Sequence, residues 1–456
     1  MSSAADFLRT IWLAVGGEPG LLSAVEFTGE GDLPSVFAVS DLAVASIGAA
    51  ALAVAELIGT SAPAVPAARI DRRLASYWFG HSLAPEGWSV PPIWDAVAGD
   101  YAAADGWIKL HTNSPHHLKA ALGALGVAYD KDAVRAAVAR WRADELEAAI
   151  VSRGGCAATM RSQAAWAQHP QGNAVAAEPL VHCQTAPVAK PQEARAVDPA
   201  RPLAGLRVLD LTRIIAGPVA SRFLAGFGAD VLRIDPLVWQ EESLAPDMTL
   251  GKRCARLDLR QPAGRDRLLA LFADADVVVH GYRPGALDGL GLGAQVRREV
   301  APNIVDVSLD AYGWTGPWAG RRGYDSLVQM SSGIADEGMR RFGKDRPTPL
   351  PVQALDHATG HILAAAALRG LTGVRTGKAV STARVSLART ATLLAGAASR
   401  EPAGSLSQPD AGDYDERIEV TAWGPARRLR PPLAIDGTAM RWTSAAAALG
   451  SSPPKW

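Results

Sequence analysis

Between Arg207 and Ser308 the chain alternates short runs of Val, Leu and Ile with longer stretches of helical spacing. The apolar runs Arg207–Leu211, Asp230–Asp235, Ala255–Leu259, Asp276–His280 and Asn303–Ser308 read as strands, with helices at Pro218–Phe227 and Pro262–Phe272. Near-continuous apolar strands alternating with helices imply βαβ units and a parallel sheet covered on both faces. Ligands of such sheets bind beyond the carboxyl ends of the strands. The loops after Leu211, Asp235, His280 and Ser308 are therefore where chemistry is expected.

The longest apolar run, Leu42–Ala55, lies between Asp41 and Glu56. It is too short to span a bilayer and reads as a buried helix. Its surroundings repeat later in the chain. Leu33-Pro34 leads through Asp41 into this Ala-rich helix and on to Arg69-Ile70-Asp71-Arg72. Leu350-Pro351 leads through Asp356 into a second Ala-rich helix and on to Arg384-Val385-Ser386-Leu387. Shared flanks in the same order point to an internal duplication. Residues 85–183 have a different texture. Tyr101–Leu110 reads as strand, turn, strand, and helical patterns follow around Leu118–Leu125 and Asp132–Trp141. Two Pro-rich breaks, Gln184–Pro202 and Glu401–Tyr414, punctuate the chain. The expected organisation is a helical segment over 1–84, a small α+β domain over 85–183, a linker over 184–202, a parallel-sheet domain over 203–400, and a segment over 401–456 returning to that large domain.

Composition narrows the function classes. Of 456 residues, 48% are hydrophobic and 20% charged, with a formal net charge of zero. No global basic field suggests a nucleic-acid partner, and no membrane partner is expected. Cys156, Cys183 and Cys254 are widely spaced, in neither a disulfide nor a metal pattern, which fits a reducing, cytoplasmic compartment. No basic segment followed by a compact apolar stretch opens the chain, so a secretory leader is not expected.

A dinucleotide site would need Gly-x-Gly-x-x-Gly after the first strand, and Asp210–Pro218 lacks it. The loop Asp310–Gly323 is more informative. It packs Gly313, Gly316, Gly320 and Gly323 with Tyr312, Trp314, Trp318, Arg321 and Arg322 directly after a buried strand. Tyr324-Asp325 then opens a helix over Ser326–Ser332, where a carboxylate either caps the first turn or performs chemistry. His357 and His361 stand one helical turn apart beside Asp356. With no third ligand in view, a packed helix face is expected there, and no metal.

Five segments in order resemble the family III (CaiB/BaiF) CoA-transferases. They are Leu206–Thr212 with Ala216-Gly217-Pro218; Phe227–Asp235; Gly251-Lys252-Arg253 with Leu257-Asp258-Leu259; Ala275–Val279 with Tyr282-Arg283-Pro284-Gly285; and Tyr312-Gly313 through Gly323-Tyr324-Asp325. Tyr101–Leu110 and the stretch from Gly155 to Val181 resemble that family's small domain, although here they precede the sheet instead of following it. The chain thus resembles a rearranged or fused member. The resemblance implies an α/β fold, with a Rossmann-like parallel sheet and packed helices plus a smaller α+β domain. It implies coenzyme A as a substrate, acyl-CoA and a carboxylic acid as partners, and a homodimer. It makes Asp325 the catalytic carboxylate, passing through an acyl-aspartyl anhydride and an aspartyl-CoA thioester. It makes Arg233, Lys252, Arg253 and Arg283 candidates to hold CoA, with Ile215 and Ala216 lining its channel and Tyr312 and Gly313 beside it. Gly313, Gly316 and Gly333 are candidates to supply oxyanion-binding N–H groups, or simply turn geometry. Two alternatives stand beside this reading. One is a 2-methylacyl-CoA racemase of the same family, which needs a histidine just upstream of Asp325 that the sequence lacks. The other is a non-catalytic CoA-binding protein.

Overall fold

The computed structural model describes residues 3–189, 196–397 and 404–456. Parts of both Pro-rich breaks, at 190–195 and 398–403, lie outside the described residues.

Six parallel strands form the main sheet: β1 (Arg207–Leu211), β2 (Asp230–Asp235), β3 (Lys252–Arg256), β4 (Val277–His280), β5 (Val305–Asp310) and β6 (Val380–Ser386). Their spatial order is β3-β2-β1-β4-β5-β6. This is the doubly wound order, in which the direction of winding reverses between β1 and β4 and leaves a crevice at their carboxyl ends. The fold is the expected Rossmann-like α/β sheet. Two strand expectations shift. The third strand lies three residues before Ala255–Leu259, because Lys252 is accommodated inside it by Asp210 on β1, one strand beyond its neighbour β2. The proposed linker starts as structure. His182–Ala186 pairs antiparallel along β6 at the sheet edge, since no proline interrupts its backbone donors before Pro187.

Four helices matter for the site: α1 (Val39–Gly59), α2 (Ala216–Gly226), α3 (Asp325–Ser331) and α4 (Ala354–Arg375). The sequence of α1 is long and apolar enough to cross a membrane, but most of it is buried inside the protein, where it packs lengthwise on α4. At the crossing of α4 with α2, a Cβ on Gly360 would stand 2.4 Å from the Ala216 carbonyl oxygen. Only glycine permits that approach.

The strands flanking α1 and α4 are arranged alike. Val25–Thr28 pairs in parallel with Ala68–Asp71 across α1, as β5 pairs with β6 across α4. Asp71 caps the next helix by accepting from the Leu74 N–H. Ser386 caps its counterpart by accepting from the Arg389 N–H. Residues 85–183 contain a small antiparallel sheet with helices. Gly99–Ala103, Gly106–Leu110 and Ala157–Thr159 form an antiparallel sheet whose core holds Tyr101, Ile108, Leu146 and Ile150. The C-terminal segment does more than return to the large domain. Its strands Gly424–Arg428 and Leu433–Ile435 pair with Leu83–Pro85 and Ala68–Asp71 of the N-terminal unit. Trp442 stacks on Trp78 at 5.5 Å and donates to the Arg222 carbonyl of α2.

Candidate active site

Asp325 is the first residue of α3 and is 1% exposed. Its two carboxylate oxygens are held from different sides. Gln329, one turn along α3, donates to Oδ1 at 2.5 Å, and the Asp356 backbone N–H donates to Oδ2 at 2.9 Å. The Gln329 amide is fixed in turn, because its Oε1 accepts from the Leu350 N–H at 2.7 Å. Burial pushes Asp325 up to about 6, with these donors acting against the shift. Asp356 is pushed further in the same direction, by burial and then by the neighbouring Asp325 charge. Burial and the Asp325 charge thus both favour the protonated form of Asp356.

Two adjoining cavities share lining residues at this point. The first, of about 650 Å³, contains Asp325, Asp356 and His357 and reaches Ile214, Ile215 and Trp239. Its remaining wall comes from the N-terminal unit, through Phe79, His81, Ile93, Trp94 and His111. The second, of about 370 Å³, follows the crevice between β1 and β4 and is lined by Arg213, Arg283, Arg321 and Arg322. Ile214, Trp239, Tyr324 and Asp356 line both. The junction is stiff. Tyr324 stacks on His111 with ring centroids 3.8 Å apart. Ile214 adopts φ 69°, a strained conformation for a β-branched residue. It is held there because its N–H donates to Glu241 at 2.6 Å, while the other Glu241 oxygen accepts from Arg233 at 2.7 Å.

Residues 203–422 match the family model described as CoA-transferase family III. That segment, just under half of the chain, is similar to CoA-transferase family III. An acyl-CoA transferase of Gibberella moniliformis is 32% identical over 279 residues, which is 56% of this chain and 48% of that protein. A probable fatty acyl-CoA transferase of Mycobacterium tuberculosis is 35% identical over 38% of this chain and 47% of its own length. A succinyl-CoA:glutarate CoA-transferase of Mus musculus is 34% identical over 40% of this chain and 44% of its own length. The chain thus spans about half the length of the curated relatives it matches. Among solved structures, a CAIB/BAIF family protein from Brucella suis matches with 27% identity and a TM-score of 0.39, covering 50% of this chain and 65% of that one.

Within the matched segment the residues singled out from sequence divide sharply. Asp325 and Ile215 line the larger cavity, and Ala216 and Arg283 the smaller. Arg233, Lys252 and Arg253 line neither. The Arg233 guanidinium is fully buried on Asp235 and Glu241. The Lys252 ammonium is fully buried on Asp210, Ser221 and the Pro218 carbonyl. Asp210 also accepts from the Thr212 N–H, so this cluster ties the end of β1 to α2 and β3 and shapes the loop above them. Arg253 grips Asp230 at the sheet edge. The expectation that these three touch CoA is corrected by their burial or pairing.

Tyr312 is buried with its hydroxyl against Ser331 and is structural. The Gly313 N–H is committed to Asp310 at 2.9 Å, and its φ of 102° makes it a turn glycine. Gly316 and Gly333 pack too closely on Gln171 and Gln163 to admit a side chain. The three glycines follow the turn reading. His361 is buried, with its Nδ1 facing the His357 carbonyl, so it is part of a packed helix face. The residues missed by sequence reasoning are those of the far wall, Phe79, Trp94 and His111, and the brace Glu241.

Proposed function

We propose that the protein moves CoA between an acyl-CoA thioester and a carboxylic acid, with Asp325 as the covalent nucleophile. The observation that carries this reading is a buried carboxylate, without a cationic partner among the described residues, on the floor of a cavity that adjoins an arginine-lined crevice. Desolvation makes such a carboxylate reactive, and its retained ionisation near neutral pH keeps it a nucleophile. CoA phosphates would lie toward Arg213, Arg283 and Arg322, because charged oxygens favour guanidinium groups. The thioester would pass Ile214 and Tyr324 to reach Asp325.

An Asp325 oxygen attacks the thioester carbonyl carbon, the C–S bond breaks, and its electron pair leaves on the CoA sulphur. The thiolate then attacks the Asp325 carbonyl of the anhydride, releasing the first acid as its carboxylate and leaving Asp325 as a CoA thioester. An acceptor carboxylate displaces that thiolate, which attacks the new acyl carbon and restores Asp325. Both walls of the cavity come from one chain, so we propose that a single copy holds the chamber needed to exclude water from the anhydride. The named activities of the relatives are of this general class.

The test is exchange of an isotope-labelled acid into its own CoA ester. Exchange in the wild type and none in Asp325→Ala supports the reading; equal exchange in both refutes it. One observation favours a second reading. His111 and His357 line the Asp325 chamber, and each has a buried Nδ1 with no hydrogen-bond partner among the described residues. A histidine beside an aspartate could instead move the α-proton of a 2-methylacyl thioester, and deuterium entering that carbon from heavy water would identify this reaction.

A further inference from the structure

The two cavities differ in charge, and that difference assigns them different parts of the ligand. The crevice between β1 and β4 carries four arginines. Among the described residues the chamber holding Asp325 is lined by no arginine or lysine. Its broadest surfaces are apolar: Phe79, Ile93, Trp94, Trp239 and Val352 face Asp325 across it. Besides Asp325 and Asp356, its acidic side chains are Glu242, at an exposed position, and Asp95 and Glu241, which are committed elsewhere. Asp95 accepts from the Thr112 hydroxyl and the Val97 and Ala98 N–H groups. Glu241 is held by Ile214 and Arg233. The cations behind the walls are also neutralised. Lys109 lies under the Trp94 ring and is bound to Asp100, and Arg222 is bound to Asp247.

We propose that this chamber selects uncharged, apolar acyl groups and rejects those with a second carboxylate. The proposal rests on the transferase reading for its biological meaning, but the chamber's preference is testable apart from it. A terminal carboxylate here would lose part of its water, meet the Asp325 charge and find no arginine or lysine among the described lining residues. A desolvated and unpaired charge carries a heavy penalty, whereas an alkyl or aryl tail gains by leaving water. The chamber of about 650 Å³ falls in the middle of the range that holds drug-sized ligands, so a ring or medium chain fits it better than an acetyl group. The preference separates this chain from any transferase that works on dicarboxylic acids. Its determinants sit in the N-terminal unit, at Phe79 and the Ile93–Trp94 turn.

Two non-reacting thioethers of equal reach test this, S-hexyl-CoA and S-(5-carboxypentyl)-CoA, titrated against the full-length protein by calorimetry with CoA alone as reference. S-hexyl-CoA is expected to bind more tightly than CoA, and the carboxylated analogue on the order of 100-fold more weakly than S-hexyl-CoA. Ile93→Arg, a change at a partly exposed position of the wall, is expected to shrink that ratio about tenfold by supplying the missing cation. Equal affinity for the two thioethers, or tighter binding of the carboxylated one, overturns the proposal. Labelled-acid exchange with hexanoyl-CoA and adipoyl-CoA is run in parallel. Absence of exchange with both, alongside the predicted binding ratio, refutes the transferase reading and leaves the chamber's preference standing. Exchange with adipoyl-CoA as fast as with hexanoyl-CoA refutes the preference and leaves the transferase reading standing.

Discussion

Replacing Gln329 by Leu removes a single donor from the Asp325 carboxylate while keeping similar volume beside it. In the native protein the Gln329 amide donates to Asp325 Oδ1 at 2.5 Å and opposes the upward push of burial. A hydrogen bond to an ionised group contributes about 1.5–3 kcal/mol, which at about 1.4 kcal/mol per pH unit corresponds to one to two units. The donor favours the charged form, so its loss raises the Asp325 pKa from about 6 to the neutral range or above. Only the carboxylate is nucleophilic. Single-turnover release of CoA thiol from an acyl-CoA should therefore rise with pH through about 6 in the wild type. In Gln329→Leu the midpoint should lie about one to two pH units higher, with the rate at alkaline pH largely recovered. The substitution also strands the Leu350 N–H, so about 1–3 kcal/mol of stability should be lost in urea unfolding. An unchanged midpoint, with the same loss of stability, would show that Gln329 supports the fold but does not tune the nucleophile.

Three further outcomes are expected. Asp356→Asn should leave the acid limb and the rate within a few-fold of wild type, because burial and the Asp325 charge favour the protonated acid, which an amide resembles, and the backbone donor to Asp325 remains; a collapse of activity would mean that Asp356 carries a proton in the reaction. Asp247→Asn should destabilise the protein by about 3–5 kcal/mol in denaturant titration, because Arg222 and Arg428 both rely on that buried carboxylate. For Asp306 burial acts upward, but His280 and Arg297 prevail and hold it at about 2. Its folded value lies below the unfolded one, so its contribution is present above pH 4 and is lost as pH falls toward 2. Asp306→Asn should remove about 2–3 kcal/mol at pH 6 and progressively less below pH 4.

Much of the sheet was readable because its strands are continuous apolar runs, and the doubly wound order then located the crevice. β1 and β2 have the bounds that their Val, Leu and Ile content implies. Asp325 was readable from the motif and from its place at the head of α3. The basic residues were misleading. Arg233 and Lys252 look like ligand-binding cations in one dimension. Their partners, Glu241 in the loop after β2 and Asp210 two strands from Lys252, are set by tertiary packing that sequence spacing does not reveal, and this pairing lets both charges be buried. The chamber's second wall was not readable for a related reason. Trp94 and His111 come to line the Asp325 chamber because the small unit packs on α3, through Cys156 and Ala158 against Leu327 and Met330 and through His111 on Tyr324.

The central claim is that Asp325 becomes acylated, and trapping tests it most directly. The protein is incubated with acyl-CoA thioesters bearing uncharged tails, quenched with hydroxylamine, digested and analysed by mass spectrometry beside Asp325→Ala. An aspartyl hydroxamate on the peptide containing Asp325 is predicted in the wild type and not in the variant. A hydroxamate at another residue, or none despite measurable binding of the same thioesters, would contradict the assignment of Asp325 as the nucleophile.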